Sequence, residues 1–190
     1  YYRVGSSNGH SHTKSFKTLK HNGPIRYGVI ADMGYGEKSD DTVKQLTSLV
    51  EKGQIDVIVH SGDLGYADGY QPHWDVFFNK IEPIASKVPY MVTPCNHEFW
   101  GNFSAYKHRF FMPPAKDGSG VINTESMYYS WNSGYAHFVA LNSETCIDTG
   151  NFDEDMLNWA ERDMKGVNRT ETPWVISHFH RPMYCTSDHD

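Results

Sequence analysis

Cysteine is scarce in this chain. Only Cys95, Cys146 and Cys185 occur in 190 residues, and no two are closely spaced. That excludes a zinc-finger framework and a paired-thiol redox motif. Cys95 and Cys146 read as buried or free thiols, and Cys185 as a thiol able to pair beyond the chain. Long apolar runs are also missing. None approaches the roughly 20 residues that a helical membrane span requires. Basic residues are too few for a nucleic-acid binder: 17 Lys and Arg stand against 23 Asp and Glu, a net charge of -6, whereas phosphate backbones are held by excess cations. Local Lys or Arg can still hold a small phosphate. No signal-peptide pattern opens the chain, which starts in mid-pattern. Internal repeats and low-complexity tracts are absent as well.

What remains is ordinary for a soluble domain with one sizeable core: 38% hydrophobic and 21% charged residues. The aromatic share of 14% is high and suits a sheet-rich structure with a lined cleft. Two glycosylation sequons, at Asn102-Phe103-Ser104 and Asn168-Arg169-Thr170, fit a secreted protein.

Two regions differ in pattern. In residues 1–19, Tyr1-Tyr2-Arg3-Val4 and Ser15-Phe16-Lys17-Thr18 are β-prone, with Asn8-Gly9 as the turn. A lone hairpin is marginal in water, so residues 1–22 are expected to be the last hairpin of an upstream β domain plus a linker broken at Gly23-Pro24. Residues 23–190 follow an α/β pattern. Tyr27–Ala31, Val57–Val59 and Pro89–Val92 read as strands, the first two buried. Val43, Leu46, Leu49 and Val50 predict a helix, with Ser39 as its N-cap and Gly53 as its stop. Trp74, Phe77, Phe78, Ile81 and Ile84 predict a second helix after Pro72. A hairpin follows at Met127–Trp131 and Ala136–Leu141. Met156, Leu157, Ala160 and Met164 predict one more helix, ended near Gly166, before a last strand at Trp174–Ile176. Alternating strands and helices imply a parallel sheet, with ligands at the carboxyl ends of its strands.

The chemistry collects at those ends. Asp32, Gly62-Asp63-Leu64-Gly65-Tyr66 and Cys95-Asn96-His97-Glu98 each follow a predicted strand, and Ser177-His178-Phe179-His180 follows the last. Carboxylate, phenolate, carboxamide and imidazole arriving from separate strands are what a two-metal hydrolytic site requires. A carboxylate can bridge two cations. A phenolate needs a strong Lewis acid such as ferric iron, since free Tyr has a pKa of about 10. Asn96 can bind a metal without adding charge. His97 can face a phosphoryl group as a proton donor, its tautomer fixed by Glu98. His178 and His180 lie two apart on an extended segment and face the same way, so one or both can ligate. Taken singly, each residue has a plainer reading: Asp32 and Asp63 as caps or turn residues, Tyr66 as edge packing, Asn96 as a helix cap. His189 offers a second proton donor, against the plainer reading of a solvent-exposed loop residue. The remaining histidines read as surface or packing residues.

The order Asp-x-Gly, Gly-Asp-x-x-Tyr, Asn-His-Glu, then His180 before Arg181-Pro182-Met183-Tyr184 resembles the purple acid phosphatases of the metallophosphoesterase superfamily, the longer animal and protist type in particular. The resemblance covers nearly the whole chain. It implies a metallophosphoesterase-type β-sandwich flanked by helices, with residues 1–19 as the end of a fibronectin-like domain. It implies that Asp32 and Tyr66 bind Fe(III), that Asp63 bridges, and that Asn96 and His180 hold a second divalent metal: zinc, iron or manganese. It implies a small phosphate-ester substrate contacted by His97, a secreted or lysosomal location, and phosphomonoester hydrolysis. Related metallophosphoesterases act on phosphodiesters or nucleotides but usually replace the Tyr66 ligand; a non-catalytic module of the same fold is a third reading. Two departures stand out. Cys95 occupies a position where the family usually has Gly, and His178 one where a small residue is common. The family also carries a later Gly-His-x-His segment giving one imidazole to each metal. No such segment follows His180, so the chain is expected to be a fragment that is inactive alone.

Overall fold

The N-terminal hairpin is shorter than its sequence predicts. β1 (Gly5–Ser6) and β2 (Gly9–His10) pair antiparallel, and a single bridge joins Tyr2 to Lys14. Ser15–Thr18 forms no strand. The computed structural model describes residues 1–19, 23–117, 120–122, 125–145 and 153–184, so part of the expected linker lies outside them. The hairpin region leans on the following domain through the Tyr2 hydroxyl, which donates to the Ser86 carbonyl at 2.9 Å, and through a Lys14–Glu82 ion pair.

The α/β pattern then holds. β3 (Tyr27–Ile30), α1 (Asp40–Glu51), β4 (Val57–Ser61), α2 (Gln71–Ala85) and β5 (Tyr90–Thr93) follow in turn. The three strands are parallel in the order β3-β4-β5. α1 starts after Ser39, as predicted, although the Ser39 hydroxyl donates to the Gly34 and Gly36 carbonyls and caps no helical N–H. α1 stops just before Gly53, whose φ of 64° suits glycine. There the N–H groups of Gly53 and Gln54 return to the carbonyls of Val50 and Leu49. In α2, Trp74, Phe77, Ile81 and Ile84 recur at helical spacing and are buried. β3 is an edge strand rather than a buried one, with Val29 69% exposed.

A short helix, α3 (Ser104–Arg109), and a small hairpin, β6 (Ala115–Asp117) with β7 (Gly120–Ile122), come next. Neither was predicted; both are too short to carry a periodic signal. β8 (Tyr129–Ser133) and β9 (Ala136–Ala140) form the expected hairpin. α4 (Glu154–Lys165) leads to β10 (Trp174–His178). β10 does not extend the first sheet. It pairs parallel with β9, giving a second sheet ordered β10-β9-β8.

The two sheets pack face to face. Val57, Val59 and Met91 of the first meet Tyr129, Ala136, Phe138 and Ala140 of the second. Side chains alternate across a strand, so Ile58 and Val92 point the other way, onto α1 and α2. Val139 likewise points onto Met156, Trp159 and Ala160 of α4. Strands covered on both faces read as continuous apolar runs, as Val57–Val59 of β4 and Phe138–Ala140 of β9 do. Phe77→Ala in this core would cost about 3–5 kcal/mol. The predicted helix is α4; of its apolar residues Met156, Trp159 and Ala160 are buried, whereas Leu157 and Met164 are close to half exposed. One turn on from Trp159, Asp163 faces the sheet and accepts from Ser130 and His137 at 2.7 Å.

Candidate metal centre

The site forms where the parallel ladder overruns its strands. Beyond β3 and β4, Asp32 N–H donates to the Gly62 carbonyl, Met33 to Asp63 and Gly34 to Leu64, at 3.3, 3.1 and 2.9 Å. These rungs zip the two loops together and set Asp32 beside Asp63. The cost is local strain: Asp32, Asp63, Tyr66 and Asp68 all adopt positive φ, between 47° and 56°, which L-residues visit at a cost of about 1–3 kcal/mol each. Gly62 is needed at its position. A Cβ there would stand 2.6 Å from the His180 ring.

Six side chains predicted as site residues come together. Asp63 is buried and central. Its Oδ1 lies 3.6 Å from His180 Nε2 and its Oδ2 lies 3.7 Å from His97 Nε2. The Tyr66 hydroxyl donates to Asp32 Oδ1 at 3.1 Å, and its ring packs 4.2 Å from that of His97. Asn96 joins through Arg181, whose Nη2 donates to Asn96 Oδ1 at 3.3 Å. Burial pushes the Asp63 carboxyl up, but hydrogen bonds from Cys95 and Tyr66 and the neighbouring His180 and His97 hold it below its ordinary value. Burial, with Asp63 and Asp32 close by, raises the Tyr66 phenol well above its own. The donor set therefore fits hard cations: two carboxylates, a phenol that only a strong Lewis acid would ionise, a carboxamide oxygen and an imidazole.

The Asn96–Glu98 segment is a single 3-10 turn at the end of β5. Glu98 does not touch His97, contrary to expectation. It turns inward, where its Oε1 accepts from Leu64 N–H at 3.1 Å and its Oε2 from Cys95 N–H at 3.2 Å and the Cys95 thiol at 2.9 Å. Burial pushes its carboxyl up to about 7. His97 is held instead by Asp68, with Nδ1 2.6 Å from Oδ1. The Cys95 sulfur also lies against Asp63 Oδ1, and Asp63 N–H donates to the sulfur at 2.8 Å.

His178 and His180 part company. His180 reaches Asp63, with its Nδ1 3.2 Å from the Ser61 carbonyl. His178 is buried beside Trp131, its Nδ1 3.2 Å from Ser61 Oγ, and burial lowers it to about 4. His189, Cys146 and Cys185 lie outside the described residues. Glu144, like Asp68, went unread in the sequence. Glu144 is buried and accepts from Arg181 Nε and Nη2 at 3.1–3.3 Å. The Arg-Pro-Met-Tyr motif had marked Arg181, but only as a flank for His180. Asn102 and Asn168 are both exposed.

A helix-flanked double sheet with acidic and imidazole side chains gathered at its strand ends is the architecture of a metallophosphoesterase, and the chain belongs to the calcineurin-like phosphoesterase family, whose model matches residues 25–190. Its relatives are more particular. It is 36% identical to probable purple acid phosphatase 20 of Arabidopsis thaliana over 197 residues, covering 99% of this chain and 43% of that protein. It is 35% identical to human acid phosphatase type 7, covering 98% and 42%. A solved purple acid phosphatase from yellow lupin seeds superposes with a TM-score of 0.74 at 30% identity, over 92% of this chain and 34% of the other. The motif order resembles this same group. The chain spans less than half the length of these relatives. Among the described residues, no helix is long and apolar enough to cross a membrane.

Proposed function

We propose that the protein is a dinuclear metal-dependent acid phosphatase that hydrolyses phosphomonoesters. The observation that carries this reading is Asp63, a buried carboxylate whose two oxygens diverge, one toward His180 and one toward His97. Such a carboxylate suits a bridge. Asp32 and Tyr66 would complete a ferric position on one side. Asn96 and His180 would hold zinc, iron or manganese on the other. When bound, the pair supplies Lewis acids that polarise a phosphoryl oxygen and bring the pKa of a water near neutral.

The chain's own residues do the rest. His97, half-exposed at the rim and braced by Asp68, would contact a phosphate and donate a proton to the leaving oxygen. Arg181, fixed by buried Glu144, orients the Asn96 carboxamide. Residues 1–22 are read as the last hairpin and linker of an upstream fibronectin-like domain. The exposed sequons at Asn102 and Asn168 support a secreted or lysosomal protein. The test is turnover of an aryl phosphate monoester against its diester, before and after chelation. A monoester preference abolished by chelation is expected. A diester preference, or activity that survives chelation, would overturn the assignment.

A further inference from the structure

Cys95 enters the centre from the end of β5 and is fully buried. Its sulfur touches the central carboxylate at Asp63 Oδ1. Among the described residues, Asp63, Cys95 and His180 are the group of His, Cys, Asp and Glu side chains whose donor atoms all lie within 4.8 Å of one another. They come from three different strand ends, β4, β5 and β10, so the convergence does not follow from local sequence. The 3.6 Å between Asp63 Oδ1 and His180 Nε2 is close to the edge of a coordination polyhedron built on metal–ligand bonds of about 2.0–2.3 Å. A thiol has one hydrogen, yet this sulfur faces the carboxylates of both Asp63 and Glu98. A cation between Sγ, Asp63 and His180 would give the sulfur a positive partner.

We propose that Cys95 is a ligand of the second cation, giving a thiolate to the metal shared by Asp63 and His180 and so biasing that position toward zinc. The inference rests on the dinuclear reading above. The S–H bond is exchanged for a sulfur–metal bond and the proton leaves to solvent. A soft sulfur donor favours zinc over magnesium and manganese, which prefer oxygen. Where the resembled family usually has Gly, such a donor is missing, so metal preference here would differ from that of a Gly-bearing loop.

The experiment strips the protein of metal, reloads it with zinc alone, and records zinc-edge X-ray absorption. Cys95→Ser and Cys95→Gly are measured alongside. The expected result is one zinc–sulfur distance of about 2.3 Å in the unaltered protein and none in either variant. Zinc affinity should fall by about tenfold or more in both variants, with manganese affinity changed much less. Zinc bound only by nitrogen and oxygen in the unaltered protein would overturn the Cys95 assignment and leave the dinuclear reading standing. Sulfur scattering that persisted in both variants would move the thiolate to another cysteine and overturn it equally. Failure to bind zinc at all would remove both. The unaltered protein decides the matter alone if a variant does not fold.

Discussion

The ring of His97 is braced by Asp68, with Nδ1 2.6 Å from Oδ1, and its other nitrogen faces Asp63 Oδ2 at 3.7 Å. Asp68 reaches back to the ring because the loop after β4 turns through positive φ at Tyr66 and again at Asp68. The brace fixes the ring's orientation from outside the metal ligands. Asp68→Ala should lower kcat by roughly 10–100-fold with metal content unchanged. Metal analysis alongside steady-state rates checks this, and loss of metal would make Asp68 part of the cation site instead.

Tyr66 should ionise only with help. Burial and the neighbouring carboxylates raise its phenol above the ordinary value of 10, so the metal-free protein should show no Tyr66 phenolate absorbance below pH 10. Loading with ferric iron should bring visible colour, which Tyr66→Phe should abolish while leaving the fold intact. An unchanged spectrum in that variant rules out the phenolate ligand.

Arg181 and Glu144 form a pair with one buried member. Arg181→Ala would leave that carboxylate without its cation. Breaking a buried pair costs about 3–5 kcal/mol; Arg181 is partly exposed, so about 2–3 kcal/mol is expected after solvent screening. Occupancy of the second cation should fall too, because Asn96 loses its anchor. Urea denaturation and metal analysis of the same sample measure both effects.

Much of this site was legible because its signals are local. Asp32, Asp63, Tyr66 and Asn96 each follow a strand whose apolar run is plain in the sequence. What was illegible depended on distant pairing. Nothing local says that β10 joins β9 rather than the first sheet. Asp68 and Glu98 are both acidic neighbours of the site, and only the backbone turns decide which one meets His97. Glu144 lies far from Arg181 in sequence. The helical spacing announced α4 but not its buried face, where Trp159 rather than Leu157 or Met164 fits the space under Tyr128 and Val139. Cys95 was visible only as an anomaly against a resembled family; its contact with Asp63 came from the structure.

Acid stability offers a test away from catalysis. His60 is fully buried, with Nδ1 2.9 Å from the Tyr90 hydroxyl. Burial lowers it to about 3, against roughly 6.5 when unfolded. The folded state therefore favours the neutral ring. Its contribution to stability is complete above pH 6.5 and is lost as pH falls from 6.5 toward 3, with a limiting slope of about 1.4 kcal/mol per pH unit. Denaturation midpoints measured between pH 7 and 4 should fall accordingly, and His60→Gln should flatten the decline. An equal decline in that variant would assign the acid sensitivity to other groups.

The most direct test of the dinuclear account is Asp63→Asn, with bound metal and phosphate release measured on the same preparation. The protein should carry two cations per chain and the variant at most one. Turnover should fall by about a thousandfold or more, as when a main electrostatic stabiliser is removed. Asp63→Asn retaining both cations and full turnover would contradict the bridge and the reading built on it.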